Sequence, residues 1–171
     1  VVGGSLGART INHSIAKLVQ QFEEKNIQLI WQTGLSYERD AKDLCQPLSN
    51  IQVHAFIYNM DLAYSAADII ISRAGASTIS ELCLIGKPAI LIPSPNVAKD
   101  HQTKNAMALI EKNAALMVKD SEAQEQLGQV IFNLLENENT QKNLGDNIKK
   151  LAMPNSAKFI VDEVLKLVKE K

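Results

Sequence analysis

The chain has 171 residues, of which 46% are hydrophobic and 22% are charged. This composition is typical of one globular domain with a sizeable core, and it excludes general disorder. The formal net charge is -1, so the chain is not a broad electrostatic trap for nucleic acid. No apolar run approaches the ~20 residues that a membrane-spanning helix requires. The chain opens at residues 1–4 (VVGG) without an initiator Met, so we expect a longer parent protein.

Six short β-forming runs alternate with helical patterns in the first two thirds of the chain. Two of them, at 68–72 and 88–93, are apolar on both faces, as parallel strands covered by helices on both sides must be. The other four runs lie at 1–2, 27–33, 51–57 and 115–118. The alternation predicts an α/β fold: a Rossmann-like, doubly wound, six-stranded parallel sheet with right-handed crossovers and flanking helices.

Apolar residues at helical spacing predict the helices between these strands. After about residue 120 only helical patterns remain, which predicts a helical C-terminal segment over 120–171 of a single domain at 1–171. The predicted helices cover 11–22, 79–85, 106–110, 127–135, 144–151 and 159–168.

Cysteine and histidine are few and scattered. Cys45 and Cys83 lie far apart in apolar settings, which indicates two buried thiols in a reducing compartment rather than a disulfide framework. His13, His54 and His101 have no second His or Cys at metal-ligand spacing. We therefore expect no protein-built metal site and no bound cofactor.

A glycine-rich segment at 3–7 (GGSLG) follows the first strand and precedes a helix. Glycines permit a tight turn and close approach of a ligand, and a helix N-terminus favours a phosphate. Ser5 could add a hydroxyl donor. The segment lacks the Lys-Ser/Thr pair of the nucleotide-hydrolase loop. A glycine-rich turn that binds nothing also fits these residues.

A second segment at 72–81 also follows a strand and opens a helix. Gly75 leaves room for a ligand, and Ser77 or Thr78 is expected to cap the helix. Glu81, expected on the first turn, can accept both hydroxyls of a ribose. The alternative for Glu81 is a capping-box residue that satisfies its own helix start.

A third segment, at 93–105, leaves the fifth strand through a proline-rich loop and enters a helix. His101, Gln102 and Asn105 suit sugar hydroxyls, because amides and imidazole donate and accept without net charge. A solvated first turn is the alternative. All three segments follow parallel strands and therefore meet at one carboxyl edge. Together they predict a single site for a phosphate, a ribose and a sugar.

Four motifs in register resemble the bacterial MurG family: GGSLGAR at 3–9, AFIYNM at 55–60, RAGASTISE at 73–81 and DHQTKNA at 100–106. The resemblance covers essentially the whole chain and corresponds to the C-terminal, donor-binding half of a GT-B glycosyltransferase. It implies metal-independent, inverting transfer of GlcNAc from UDP-GlcNAc to lipid I, forming lipid II for peptidoglycan. It further implies a peripheral enzyme at the cytoplasmic face of the bacterial inner membrane, with this part soluble and without a nucleic-acid partner.

The resemblance also implies a role for each part of the donor site. The diphosphate would meet the 3–5 backbone and the helix start at 76–78, while the uracil would meet the main chain of Ile57. Glu81 would hold the ribose hydroxyls, and the 101–105 helix would address the GlcNAc hydroxyls. The implied site residues are Gly3, Gly4, Ser5, Phe56, Ile57, Met60, Ala76, Ser77, Thr78, Glu81, His101, Gln102 and Asn105.

The N-terminal half of the family has no counterpart in this sequence. That half binds the lipid acceptor, contacts the membrane and supplies the candidate general base, so we predict no catalytic acid or base here. This part alone is expected to bind UDP-GlcNAc or UDP weakly, without turnover. Two alternatives stay open: the donor half of another GT-B enzyme, such as a UDP-GlcNAc 2-epimerase-like or lipid glycosyltransferase domain, and a non-catalytic Rossmann nucleotide-binding module. The last expects an acid after the second strand, where 32–34 is QTG.

Overall fold

A computed structural model describes residues 1–4, 6–95 and 100–169 of the chain. Short strands and helices alternate over the first two thirds of these ranges, and the last third is helical. The strands are β1 (Leu29–Gln32), β2 (Ile51–His54), β3 (Ile70–Ser72), β4 (Ala89–Leu91) and β5 (Leu116–Met117). The helices are α1 (Arg9–Ala16), α2 (Val19–Glu24), α3 (Leu35–Cys45), α4 (Met60–Ala66), α5 (Ala76–Ile85), α6 (His101–Ile110), α7 (Ala123–Leu135), α8 (Glu138–Lys149) and α9 (Ser156–Lys169).

Every strand pairing in the sheet is parallel. β1 pairs with β2, and β4 pairs with both β3 and β5. Val2 joins the two groups, because it bridges to Gln32 on one side and to Ser72 on the other. Counted with Val2 as the first strand, the strand order is 3-2-1-4-5-6, which is the Rossmann order. The predicted doubly wound sheet is confirmed, with its first strand reduced to one bridging residue.

Consecutive residues of β3 and β4 are buried on opposite faces of the sheet. Ile71 and Ile90 join the core formed with α1, α2 and α7, whereas Ile70 and Leu91 join the core formed with α4, α5 and α6. Since strand side chains alternate between faces, a strand buried on both sides must be apolar throughout. This is the physical basis of the apolar runs in the sequence.

The helices differ from the predicted pattern in two places. The pattern at 11–22 forms two helices, because α1 ends at Ala16 and α2 begins at Val19. Two further helices, α3 and α4, have no counterpart among the predictions. α3 buries only Ala41 and Cys45, so its apolar stripe is too narrow to stand out in the sequence.

The two cysteines are both buried with free thiols, as predicted. Burial raises the pKa of Cys45 and of Cys83, which keeps both thiols protonated and unreactive near neutral pH.

The helices after residue 119 differ in how far their apolar side chains are buried. α7 buries Leu127, Ile131 and Leu134 and lies against α1, whereas the apolar side chains of α9, including Phe159 and Ile160, are exposed. Within the ranges described, no helix combines the length and the apolar character needed to cross a bilayer.

Candidate functional site

The structure brings the three predicted segments to one edge of the sheet. Loops leave Val2, β1, β2, β3 and β4 at their carboxyl ends, and parallel pairing places all of these ends together. We call residues 3–8 the glycine loop, 55–59 the β2–α4 loop and 73–75 the β3–α5 loop. These three loops, with the start of α6, frame the candidate site.

The glycine loop contains two residues in the left-handed region, Gly4 and Gly7, each with φ 78°. The Gly7 N–H donates to the Gly4 carbonyl oxygen at 3.1 Å and closes a turn. A Cβ on Gly7 would collide with the Thr33 carbonyl oxygen, whereas a Cβ on Gly4 would meet nothing within 4 Å. Packing therefore requires glycine at position 7, while the backbone at position 4 is open to a ligand. Ser5, predicted to meet the diphosphate, lies outside the described residues.

The five helices that begin at this edge, α1, α3, α4, α5 and α6, all lack a side-chain cap. Two of them, α1 and α5, open the first and second of the predicted segments. The N-cap positions of α1 and α5 are Ala8 and Gly75, and neither has a side-chain hydrogen bond to the helix start. First-turn N–H groups lack intrahelical acceptors and lie at the positive end of the helix dipole, so both ends suit an anion. The prediction that Ser77 or Thr78 caps α5 is wrong, because both lie inside its first turn.

Gln32, at the end of β1, connects two of the loops. Its Nε2 donates to the Gly4 carbonyl oxygen at 3.0 Å, and its Oε1 accepts from the Ile57 N–H at 2.8 Å. The side chain is only 3% exposed. In the sequence this position differs from a dinucleotide-binding domain only by its lack of an acid, since nothing local reveals the partners of a buried amide.

The β2–α4 loop carries the residues predicted to hold a uracil. The rings of Phe56 and Tyr58 form an edge-to-face pair with centroids 5.1 Å apart, and both side chains are exposed. Met60 is half-buried as the first residue of α4. The Ile57 N–H is bound to Gln32, whereas its carbonyl oxygen has no hydrogen-bond partner within the described ranges. A base could therefore use that carbonyl freely, but it must share or displace Gln32 at the N–H.

Glu81 lies on the second turn of α5, not on the first as predicted. Its Oε2 accepts a hydrogen bond from the Tyr64 hydroxyl of α4 at 3.1 Å. The carboxylate therefore contacts a neighbouring helix, and the capping-box alternative is wrong. Burial, and secondly the Glu81 charge, raise the pKa of Tyr64, so the phenol stays a donor. The Glu81 side chain is otherwise exposed.

The start of α6 is attached to the neighbouring loops by two amide side chains. Gln102 Oε1 accepts from the N–H groups of Ala74, at 3.2 Å, and Ser94, at 2.9 Å. Asn105 Nδ2 donates to the Ala74 carbonyl oxygen at 3.0 Å. These bonds position the β3–α5 loop, a role that the sequence alone does not predict. Gln102 Nε2 and Asn105 Oδ1 have no partner among the described residues, so the predicted sugar contacts depend on these two atoms.

His101, the first residue of α6, is exposed. It lies one turn before Asn105, so the two side chains share a face of the helix as the spacing predicted.

An ion pair between Arg73 and Asp120 links more of the edge. Arg73 Nη1 lies 2.5 Å from Asp120 Oδ1 and also donates to the Ile92 carbonyl oxygen at 3.0 Å. Asp120 Oδ2 accepts from the Thr10 hydroxyl, on the first turn of α1, at 2.9 Å. Both charged side chains are 17% exposed. The pair therefore holds the β3–α5 loop, the end of β4 and the start of α1 in one arrangement.

A cavity of about 470 Å³ lies between α4 and the sheet. It is lined by α4 and by the amino ends of β1 and β3, including Ile30, Asp68 and Ile70. Ile57 and Met60, two of the predicted site residues, also line it, whereas the glycine loop, the β3–α5 loop and α6 contribute nothing to its lining. The cavity therefore adjoins the candidate site at the β2–α4 loop and the start of α4, and lies away from its other parts. Among the described residues, no group of three or more His, Cys, Asp or Glu side chains is arranged to hold a metal ion.

The strand order, the glycine turns and the uncapped helices together define a doubly wound, Rossmann-type α/β domain with an anion-suited carboxyl edge. The chain belongs to glycosyltransferase family 28: residues 1–160 match the glycosyltransferase family 28 C-terminal domain. The resemblance to MurG is confirmed by the crystal structure of Acinetobacter baumannii MurG. That structure is 33% identical, with a TM-score of 0.84 over 96% of this chain and 48% of its own.

Two curated relatives, from Flavobacterium psychrophilum and Bacteroides thetaiotaomicron, are each 51% identical over 98% of this chain. Both are named UDP-N-acetylglucosamine--N-acetylmuramyl-(pentapeptide) pyrophosphoryl-undecaprenol N-acetylglucosamine transferase. The match covers 46% of each, so the chain spans about half the length of these relatives. A UDP-GlcNAc 2-epimerase from Neisseria meningitidis, solved with UDP-GlcNAc, has a TM-score of 0.65 at 17% identity over 96% of this chain and 42% of its own. That likeness shows a shared fold alone.

Proposed function

We propose that this chain is the donor-binding half of an N-acetylglucosaminyltransferase that transfers GlcNAc from UDP-GlcNAc to lipid I, forming lipid II. The observation that carries the proposal is one sheet edge that brings the glycine loop and the uncapped starts of α1 and α5 together with an exposed carboxylate, Glu81. Relatives 51% identical over 98% of the chain are named as this transferase and support the same assignment.

The diphosphate is proposed to lie between the glycine loop and the start of α5. N–H groups at both helix starts can donate to phosphate oxygens, and the positive ends of both helix dipoles stabilise the negative charge. The acceptor hydroxyl attacks the anomeric carbon while the bond to the phosphate oxygen breaks, and UDP leaves with the bonding electrons. The same N–H groups stabilise the charge that develops on the leaving diphosphate. The proton of the acceptor hydroxyl goes to a base that we place outside this chain.

The nucleoside and the sugar are proposed to occupy the two sides of the diphosphate. Uracil would use the free carbonyl of Ile57, and the ribose hydroxyls would donate to the carboxylate of Glu81. Binding energy from the nucleoside then orients the anomeric carbon for attack. The residues proposed for the whole site are Gly3, Gly4, Ser5, Phe56, Ile57, Met60, Ala76, Ser77, Thr78, Glu81, His101, Gln102 and Asn105.

The lipid acceptor is proposed to bind a second, N-terminal half of the protein, which also makes the main membrane contact. The assembled enzyme would then act as a peripheral protein at the cytoplasmic face of the inner membrane. The shared fold at 17% identity gives the epimerase alternative no comparable support.

Calorimetric titration of the 171-residue chain with UDP-GlcNAc and with UDP tests the proposal. We expect binding by the unaltered chain and at least a tenfold loss with Glu81→Ala, since charge-assisted hydrogen bonds contribute about 1.5–3 kcal/mol each. Glu138→Ala, at the exposed start of α8, is the matched control and should bind like the unaltered chain. Absence of binding by a well-folded, unaltered sample would overturn the assignment of the site.

A further inference from the structure

The amide of Gln32 is the direct connection between the glycine loop and the β2–α4 loop. It donates to the Gly4 carbonyl oxygen at 3.0 Å and accepts from the Ile57 N–H at 2.8 Å. Its two partners lie 28 and 25 positions away in the sequence. A single planar group therefore joins two backbone segments that lie far apart in the sequence.

The amide belongs to a buried residue, since Gln32 is 3% exposed, and its two hydrogen bonds are partly buried. Hydrogen bonds are stronger in a low dielectric environment, and a buried amide left unpaired carries a desolvation cost of about 1–3 kcal/mol. The Gly4 carbonyl also accepts from the Gly7 N–H, so the bond from Gln32 bears on the turn of the glycine loop itself. A shift of either loop is thus resisted through the other.

We propose that Gln32 is a positioning residue that couples the diphosphate part of the donor site to its base part. The inference deepens the proposed function and rests on it, since it assumes that UDP occupies both loops. With the amide in place, a phosphate group on the glycine loop holds the β2–α4 loop in the arrangement that binds the base. The nucleoside and the diphosphate therefore bind more tightly together than their separate affinities predict.

Asn12, on α1, provides a matched control for Gln32. It is also a buried amide, and it bonds to residues at the carboxyl end of β1. It is 2% exposed, its Oδ1 accepts from Trp31 Nε1 at 3.1 Å, and its Nδ2 donates to the Thr33 carbonyl oxygen at 2.8 Å. Its hydrogen bonds reach neither Gly4 nor Ile57. Asn12→Met therefore removes a buried amide without cutting the connection between the loops.

The test measures dissociation constants for uridine and for UDP by NMR titration of the 171-residue chain. The dissociation constant for uridine divided by that for UDP reports how much the diphosphate strengthens nucleoside binding. Gln32→Met should lower this ratio at least fivefold, which corresponds to the loss of about one hydrogen bond of ~1 kcal/mol. Asn12→Met should leave the ratio within twofold of the unaltered chain.

The outcomes separate the two proposals. If the unaltered chain binds no UDP, the proposed function fails. If it binds UDP and Gln32→Met keeps the ratio, or Asn12→Met lowers it equally, the coupling role of Gln32 is overturned.

A measurement on the unaltered chain keeps the test valid if Gln32→Met does not fold. Inorganic pyrophosphate can occupy the glycine loop but carries no base. Titration with pyrophosphate alone should shift the Ile57 amide and the Gln32 side-chain amide resonances together with those of the glycine loop. Shifts confined to the glycine loop would contradict the proposal.

Discussion

The Tyr64 hydroxyl donates to Glu81 Oε2 at 3.1 Å, joining α4 to α5 beneath the exposed carboxylate. Tyr64 is buried, so its ring cannot swing away, and the hydrogen bond restricts the rotamers open to Glu81. If Glu81 holds the ribose, the phenol positions the group that binds it.

Tyr64→Phe should weaken UDP binding about threefold to tenfold while leaving the fold intact. The change removes one hydrogen bond of about 1 kcal/mol and keeps the buried ring. Calorimetry with UDP measures the loss. A 2′,3′-dideoxy analogue of UDP is the control ligand, because it lacks the hydroxyls that Glu81 is proposed to hold. Equal losses for both ligands would contradict a role through the ribose.

The same phenol makes stability depend on alkaline pH. Burial and the Glu81 charge raise the pKa of Tyr64 in the folded chain above the value of ~10 in the unfolded chain. As the pH rises above 10, the unfolded state loses this proton and the folded state keeps it, so stability falls by up to about 1.4 kcal/mol per pH unit. Urea denaturation between pH 8 and 11 should show a shallower fall for Tyr64→Phe. Other alkaline titrations, including that of Tyr37, are common to both proteins and cancel in the comparison. Identical slopes would count against the raised pKa of Tyr64.

Asp120→Asn should destabilise the chain by about 1–3 kcal/mol, because it leaves the Arg73 guanidinium mostly buried without its counter-charge. The neighbouring pair Lys119–Glu122 offers the control: it is exposed, with nitrogen and oxygen 3.3 Å apart. Glu122→Gln should change stability by less than about 0.5 kcal/mol, as for other exposed pairs. Thermal denaturation of both variants measures the difference, and equal effects would show that the Arg73 pair contributes no more than a surface pair.

Two glycines of the same loop should respond differently to alanine. Both Gly4 and Gly7 have positive φ, so each substitution costs about 1 kcal/mol of backbone strain. Gly7→Ala also forces its Cβ against the Thr33 carbonyl oxygen, whereas Gly4→Ala meets open space. Gly7→Ala should therefore be clearly the less stable variant in denaturant titrations. Gly4→Ala should keep most of its stability and lose UDP affinity, since its methyl group projects where a ligand would approach. Equal stabilities of the two variants would contradict this account of the loop.

Much of the fold followed from local pattern. The runs at 68–72 and 88–93 are apolar on both faces, and only a doubly covered parallel strand buries both. The glycines at 3–7 and at 75, each between a strand and a helix, placed two turns at the carboxyl edge. The sequence pattern does not predict α3, because only Ala41 and Cys45 are buried along its 11 residues and almost no helical periodicity of apolar residues results.

The partners of the polar side chains depend on tertiary structure alone. Gln32, Tyr64 and Arg73 are bonded to groups 17 to 47 positions away. No local pattern encodes such a pairing, because it depends on how the parallel strands and their crossovers place the loops. The residue types at the carboxyl edge could therefore be predicted from the sequence. Which of them face a ligand and which hold a neighbouring loop follows only from the packed sheet, where a buried polar atom must find a partner.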